Sequence, residues 1–73
     1  MTYEIIEKIE NNCKRNQMRD VFFEEREIEN PDVWIREREP GADSYERENI
    51  KNGIRYCVTA SGLLKVYELT EAD

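Results

Sequence analysis

Two short turn motifs near the carboxyl end constrain the fold of this 73-residue chain more than any other feature. Asn52-Gly53 and Ser61-Gly62 both favour two-residue β-hairpin turns, because such turns need residues that accept a positive φ. If both motifs form these turns, residues 54–60 are the middle strand of a three-stranded antiparallel meander. Residues 45–50 then supply the strand that precedes it.

This meander has a definite register. One face of the sheet carries apolar and aromatic pairs, namely Ile54 with Leu69, Tyr56 with Tyr67, and Ala60 with Leu63. The other face places Arg55 opposite Glu68, and an opposite-charge pair of this kind stabilises neighbouring strands. Turn chemistry, apolar pattern and charge pairing therefore all indicate the same antiparallel sheet.

The amino-terminal segment predicts a helix. Thr2 is a suitable N-cap, and residues 3–15 carry Ile6, Ile9 and Cys13 at helical spacings of three and four. Acidic side chains near the start of the segment and basic side chains near its end suit the helix dipole. We therefore expect one N-terminal helix that packs across a face of the sheet.

Residues 20–29 fit either a strand or a helix. The run Val21-Phe22-Phe23 consists of residues that favour strands. In a helix, spacings of three and four residues would also place on one face the side chains of Met18, Phe22, Glu25 and Glu29. The prediction is a strand, because a hairpin across Pro31-Asp32 then needs only a short loop.

Residues 33–39 lie between turn motifs at Pro31-Asp32 and Pro40-Gly41 and resemble a further strand with a charged outer half. The predicted fold is therefore α+β, with one N-terminal helix packed on a four- or five-stranded antiparallel meander sheet. The chain is shorter than the roughly 100–150 residues of a typical domain. Residues 1–73 are thus expected to form a single domain.

Negative charge is concentrated in the middle of the sequence. The net charge of the chain is −6, whereas residues 20–48 hold eleven acidic and four basic residues, a net of −7. Residues 49–67 contain three basic residues and no acid. On a strand, Glu25, Glu27 and Glu29 would point to one face at intervals of about 6.8 Å. Such a row indicates contact with a basic surface of another protein.

Two other interpretations of this acidic region stay open. Such a region is also typical of a solvated face that improves solubility and protects exposed sheet edges, with ion pairs that contribute little. A row of carboxylates can also imitate a nucleic-acid backbone, although the interspersed arginines cancel part of that field.

Trp34 is the single tryptophan of the chain. In a strand it points away from Val33 and Ile35 and shares a face with Arg36 and Arg38, and aromatic and arginine side chains are typical of contact patches. The alternative is that the helix covers Trp34. The candidates for partner binding are therefore Glu25, Glu27, Glu29, Trp34, Arg36 and Arg38.

No arrangement of residues indicates catalysis, a cofactor or a metal site. The chain has no histidine, the commonest general base and metal ligand. Cys13 and Cys57 lie far apart in the sequence and are more typical of small buried side chains than of nucleophiles. A single disulfide bridge between them stays an alternative. We expect a protein that is not an enzyme.

The sequence also lacks the patterns that direct a chain to a membrane. No charged stretch followed by an apolar run opens the sequence, and no run approaches the roughly 20 apolar residues that span a bilayer. We therefore expect a cytoplasmic protein without a membrane segment.

Three functions follow as expectations. The first is a small acidic protein-interaction module, an adaptor or inhibitor, that acts through the acidic surface of residues 20–48. The second is a structural protein that forms a homodimer through a sheet edge or an apolar face. The third is single-strand nucleic-acid binding through residues 51–67, although a pI near 4.7 works against phosphate binding.

Overall fold

The computed structural model describes residues 1–10 and 19–72 and shows five strands and one helix in that part of the chain. In chain order the elements are β1 (Thr2–Glu10), β2 (Arg19–Glu27), α1 (Pro31–Arg38), β3 (Ser44–Ile50), β4 (Gly53–Ala60) and β5 (Leu63–Glu71). The helix is neither long nor apolar enough to cross a membrane, and the described residues include no other helix.

The five strands form one antiparallel sheet in the order β2-β1-β5-β4-β3. This confirms an α+β arrangement with a five-stranded antiparallel sheet. The prediction of a strict meander is wrong, because β1 lies between β2 and β5 and thereby joins the first strand of the chain to the last. The local meander of β3, β4 and β5 is present.

The predicted register of β4 and β5 is confirmed. Ile54 lies opposite Leu69, Tyr56 opposite Tyr67, Ala60 opposite Leu63, and Arg55 opposite Glu68. The second turn is also as expected, with positive φ values of 51° at Ser61 and 79° at Gly62.

The first turn differs by one residue from the prediction. Ile50 pairs with Gly53, so Lys51 and Asn52 connect the strands, and Asn52 has a φ of 62°. Gly53 is therefore the first residue of β4. A Cβ atom at Gly53 would lie 1.9 Å from the carbonyl oxygen of Leu69. Glycine is needed there for close strand approach.

The predicted N-terminal helix is wrong for residues 2–10, which form β1. Ile5 is buried on one side of this strand, whereas Ile6 is half-buried on the other. Apolar residues on both sides of a strand between two neighbours imitate a helical spacing, and β-branched isoleucine favours the strand. The remaining part of the predicted helix, including Cys13, lies outside the described residues.

Helix α1 occupies the segment for which a turn and a strand were predicted. Asn30 caps its amino end, where the side-chain Oδ1 accepts hydrogen bonds from the backbone N–H groups of Asp32 (3.1 Å) and Val33 (3.3 Å). Pro31 occupies the first turn, where its missing N–H costs nothing. The strand predicted for residues 20–29 is confirmed for residues 20–27, which belong to β2, but β2 pairs with β1 and not across Pro31-Asp32.

Helix α1 packs on one face of the sheet, which we call the helix face. The buried core there consists of Tyr3, Ile5, Ile28, Ile35, Tyr56, Val58, Tyr67 and Leu69. Trp34 packs against this core, and its ring meets that of Tyr67 edge to face at 5.8 Å. The structure places no described element over the opposite side of the sheet, which we call the open face.

Candidate protein-interaction surfaces

Two tyrosine hydroxyls form hydrogen bonds beneath helix α1, one to the helix and one between strands β5 and β1. Tyr67 donates a hydrogen bond to Glu7 Oε1 at 2.9 Å, and Tyr56 donates one to Asp32 Oδ1 at 2.5 Å. Burial raises the pKa of both tyrosines, and their hydrogen bonds to carboxylates raise it further. Both hydroxyls therefore stay protonated over the physiological range.

Ion pairs complete the attachment of α1. Arg47 reaches both carboxylate oxygens of Asp32, at 3.1 and 2.9 Å. Lys65 binds Glu39 at 2.6 Å, just after the carboxyl end of the helix. Asp32 and Glu39 lie near the two ends of the helix, so their ion pairs hold both ends on the sheet and give the outer side chains a defined orientation.

A groove runs along the outer side of α1 where β2 ends, and we call it the acidic groove. Its volume is about 310 Å³, and it is lined by Glu27, Ile28, Glu29, Asn30, Val33, Trp34 and Glu37. Val33 and Glu37 are one helical turn apart and therefore share this side of α1. Val33 is 49 % exposed, although it is apolar.

The carboxylates of the acidic groove differ in their contacts from other acids of residues 20–48. Asp32, Glu39 and Glu48 each pair with a basic side chain of the sheet. Among the described residues, no ion pair involves the three groove acids, Glu27, Glu29 and Glu37. Part of the uncompensated negative charge of residues 20–48 therefore lies at the groove, and the rest is carried by acids outside it such as Glu25 and Glu46.

The predicted partner-binding residues fall into two groups. The structure brings Glu27, Glu29 and Trp34 together in the acidic groove. Glu25 lies two residues before Glu27 in β2 and thus on the same side of that strand, the open face.

Arg36 does not share a side of α1 with Trp34, because two residues turn a helix by about 200°. Arg38 is four residues from Trp34 and lies on the same side of the helix, but carboxylates of the protein itself hold its guanidinium. Arg36 lines a separate depression of about 200 Å³ beside Tyr56. Arg38 contacts Glu7 at 3.3 Å and Glu24 at 3.9 Å. The three residues therefore do not form one patch, since Arg36 lies on another side of α1 and Arg38 is paired with Glu7 and Glu24.

Sequence reasoning missed two features of the surface. It missed Val33 and Glu37 as groove residues, although the N-cap signal at Asn30 followed by Pro31 is typical of a helix start and would have placed them one turn apart. It also treated Val21-Phe22-Phe23 only as strand formers. These three residues of β2, which we call the apolar edge, are 42 %, 52 % and 77 % exposed.

Charged side chains cross four strands on the open face. Lys8 binds Glu68 at 2.7 Å, and Arg55 binds Glu68 at 3.2 Å and Glu48 at 3.4 Å. The hydrogen bond from Lys8, followed by that from Arg55, holds the pKa of Glu68 below its usual value. Arg55 is thus already occupied by carboxylates of the protein itself.

Within residues 1–10 and 19–72, no group of three or more cysteine, aspartate or glutamate side chains is arranged to hold a metal ion. Comparison with known proteins gives no match to a protein family, a curated protein or a solved structure.

Proposed function

We propose that this protein is a small, non-enzymatic protein-interaction module, an adaptor or inhibitor, that binds a basic segment of a partner protein in the acidic groove. The observation that carries the proposal is the composition of that groove. Three acidic residues without an ion pair among the described residues line the groove together with the apolar residues Val33 and Trp34.

A lysine or arginine side chain matches this composition. Both have an apolar stem and a cationic head, so that the stem can cover apolar surface while the head remains among polar groups. The stem would lie on Val33 and Trp34, and the head would reach Glu29 or Glu37. The exposed part of the indole adds a cation–π contact, which is strongest with tryptophan. The volume of about 310 Å³ suits a side chain better than a large substrate.

The charge of the whole chain supports the same kind of partner. A net charge of −6 attracts a basic protein during diffusion and speeds the encounter, an effect that salt weakens. Binding in the acidic groove is therefore expected to be salt-dependent both in rate and in affinity.

Nucleic-acid binding by residues 51–67 receives no support from the contacts. Arg55 and Lys65 bind carboxylates of the protein, and Tyr56 and Tyr67 are buried beneath α1. Stacking on bases would require exposed aromatic rings next to unoccupied cations. We therefore do not propose this function.

Trp34 provides a direct test, since its fluorescence reports on the groove. We expect a short lysine- and arginine-rich peptide to change this fluorescence in low salt and to bind more weakly in high salt. The double variant Glu29→Gln/Glu37→Gln should weaken binding by roughly fivefold to thirtyfold, from two charge contacts of about 0.5–1 kcal/mol each. The control Glu46→Gln/Glu71→Gln changes the net charge equally, at exposed residues outside the groove. Equal effects of the two double variants would reject the groove as the binding site.

A second experiment addresses the native partner. Affinity capture from the native host, with the wild-type protein and both double variants as bait, should retain a basic protein in low salt and release it in high salt. The groove variant should lose this protein, whereas the control should keep it. Retention by all three baits, or by none, would contradict the proposal.

A further inference from the structure

The two edges of the sheet are built differently. The β3 edge, Ser44–Ile50, is exposed and consists mainly of charged and polar residues. Strand β2 forms the other edge, and its amino-terminal half contains the three residues of the apolar edge, Val21-Phe22-Phe23. Proteins normally protect an edge strand with charge, because its unpaired backbone groups otherwise accept another strand. Only the β3 edge has such protection along its length.

The apolar edge also extends to both sides of the sheet. Phe23 lies opposite Ile6 of β1, on the open face, and Val21 shares this side. Phe22 lies opposite Glu7, on the helix face. A ligand placed on one face would leave part of this surface uncovered. A strand added alongside β2 would cover both parts, as in peptide recognition by β-augmentation.

We propose that the occupant of this edge is β2 of a second copy of the chain. The two β2 strands pair antiparallel about a two-fold axis that passes midway between the Phe22 residues of the two copies. This axis is perpendicular to the sheet, so each residue lies opposite a partner residue whose side chain is on the same face. Because side chains alternate between faces along a strand, the residue numbers of such a pair are both even or both odd. With Phe22 on the axis, Phe22 lies opposite the partner's Phe22, and Val21 lies opposite the partner's Phe23.

This register is selected by the composition of β2. An axis through Phe23 would place Val21 opposite the partner's Glu25, and Phe22 opposite the partner's Glu24. An axis through Glu24 would oppose two like charges directly. Only an axis through Phe22 places each of the three apolar side chains opposite another apolar side chain. The strand is thus complementary to itself.

The charged half of β2 is compatible with the same register. In that register the acidic residues Glu24 and Glu25 do not face their own counterparts, because only Phe22 lies opposite itself. The same holds for Arg26 and Glu27.

The exposed area sets the strength of the association. A phenylalanine side chain buries about 150–250 Å², so the exposed parts of Phe22 and Phe23 amount to roughly 250 Å² per copy. A stable interface needs about 800 Å² per partner. The dimer is therefore weak and forms at micromolar or higher concentration, with backbone hydrogen bonds adding to the apolar contact.

Cysteine cross-linking tests the register. In a Cys13→Ala/Cys57→Ala background, Phe22→Cys should form a disulfide-linked dimer under mild oxidation, because opposed Cβ atoms in an antiparallel pair lie about 4.5–5.5 Å apart. Val21→Cys and Phe23→Cys should not cross-link alone but should do so when mixed. Cross-linking of Phe23→Cys alone, as efficient as that of Phe22→Cys, would overturn the proposal.

Sedimentation velocity tests the association itself in the wild-type chain. We expect a concentration-dependent dimer that Phe22→Lys or Phe23→Lys abolishes, whereas Asn49→Lys on the β3 edge leaves it unchanged. Circular dichroism confirms that each variant keeps its fold. A strict monomer at high micromolar concentration would overturn the proposal and leave the edge to an extended segment of another protein. A dimer unaffected by both lysine variants would also overturn it, without bearing on the acidic groove.

Discussion

Gly53 shows how a single position can be required for a reason other than its backbone angle. Its missing Cβ leaves room for the carbonyl oxygen of Leu69, which would lie 1.9 Å from that atom. We expect Gly53→Ala to lower the free energy of unfolding by about 1–3 kcal/mol, because β4 and β5 must move apart. Urea denaturation measures this. Gly41→Asn is the control, since Gly41 has no atom within 4 Å of the Cβ position and asparagine tolerates its positive φ. Equal losses in both variants would contradict the steric explanation.

Tyr56 and Tyr67 make the stability of the protein sensitive to alkaline pH. Burial raises their pKa in the folded state, so the folded protein holds these protons at a pH where the unfolded chain has released them. Their contribution is complete below the unfolded pKa of about 10 and is lost as pH rises toward the folded value. We expect stability to decrease above pH 10 by up to about 1.4 kcal/mol per pH unit for each tyrosine.

The measurement is urea denaturation at several pH values, together with absorbance of the tyrosinate form. The double variant Tyr56→Phe/Tyr67→Phe lacks both hydroxyls and should show a shallower decrease above pH 10. An unchanged slope in the double variant would show that other groups cause the alkaline loss.

At the scale of single elements, helix α1 depends on its cap. A helix of eight residues is too short to be stable alone, and Asn30 satisfies two of its unpaired backbone N–H groups. We expect Asn30→Ala to destabilise the protein by about 1 kcal/mol, whereas Asn30→Asp should retain most of the cap. Thermal unfolding followed by circular dichroism distinguishes the two. A loss in Asn30→Asp as large as that in Asn30→Ala would contradict a capping role.

The elements that could be predicted are those with a local cause. The order of β3, β4 and β5 follows from two short turns and from side chains that alternate between faces, and both signals lie within about 25 residues of sequence. The register of β4 and β5 was correct for the same reason, since a two-residue turn at Ser61-Gly62 fixes every later pair.

The elements that were wrongly predicted have non-local or competing causes. β1 is a strand because it lies between β2 and β5, and its pairing with β5 joins residues more than 50 positions apart. The apolar run of α1 resembles a strand, and its helix signals are confined to the cap and the terminal charges. The candidate site was accordingly recovered in part. Glu27, Glu29 and Trp34 line the groove, whereas Arg36 was assigned to that surface by a strand alternation that a helix does not have. Arg38 stays on the side of Trp34 but is paired with Glu7 and Glu24.

At the scale of the whole molecule, the pairing of β1 with β5 makes the first and last strands of the chain neighbours. The core beneath α1 is completed only when both the β1–β2 hairpin and the β3–β5 meander are in place, because Ile5 belongs to the first and Leu69 to the second. Neither part has a helix-covered core of its own. The sheet is thus expected to unfold as one cooperative unit, with fraying confined to its edges.

Amide hydrogen exchange followed by NMR tests this view. We expect the slowest exchange in the middle strand, β5, and in β4, where Val58, Tyr67 and Leu69 are fully buried, because these amides open only on global unfolding. The exposed β3 edge should exchange fastest within the sheet. The β2 edge should behave like β3 in dilute protein and become more protected as the concentration rises, whereas β3 should not change. Protection of β3 equal to that of β5 would contradict the cooperative core, and concentration-independent exchange at Val21-Phe22-Phe23 would count against pairing along β2.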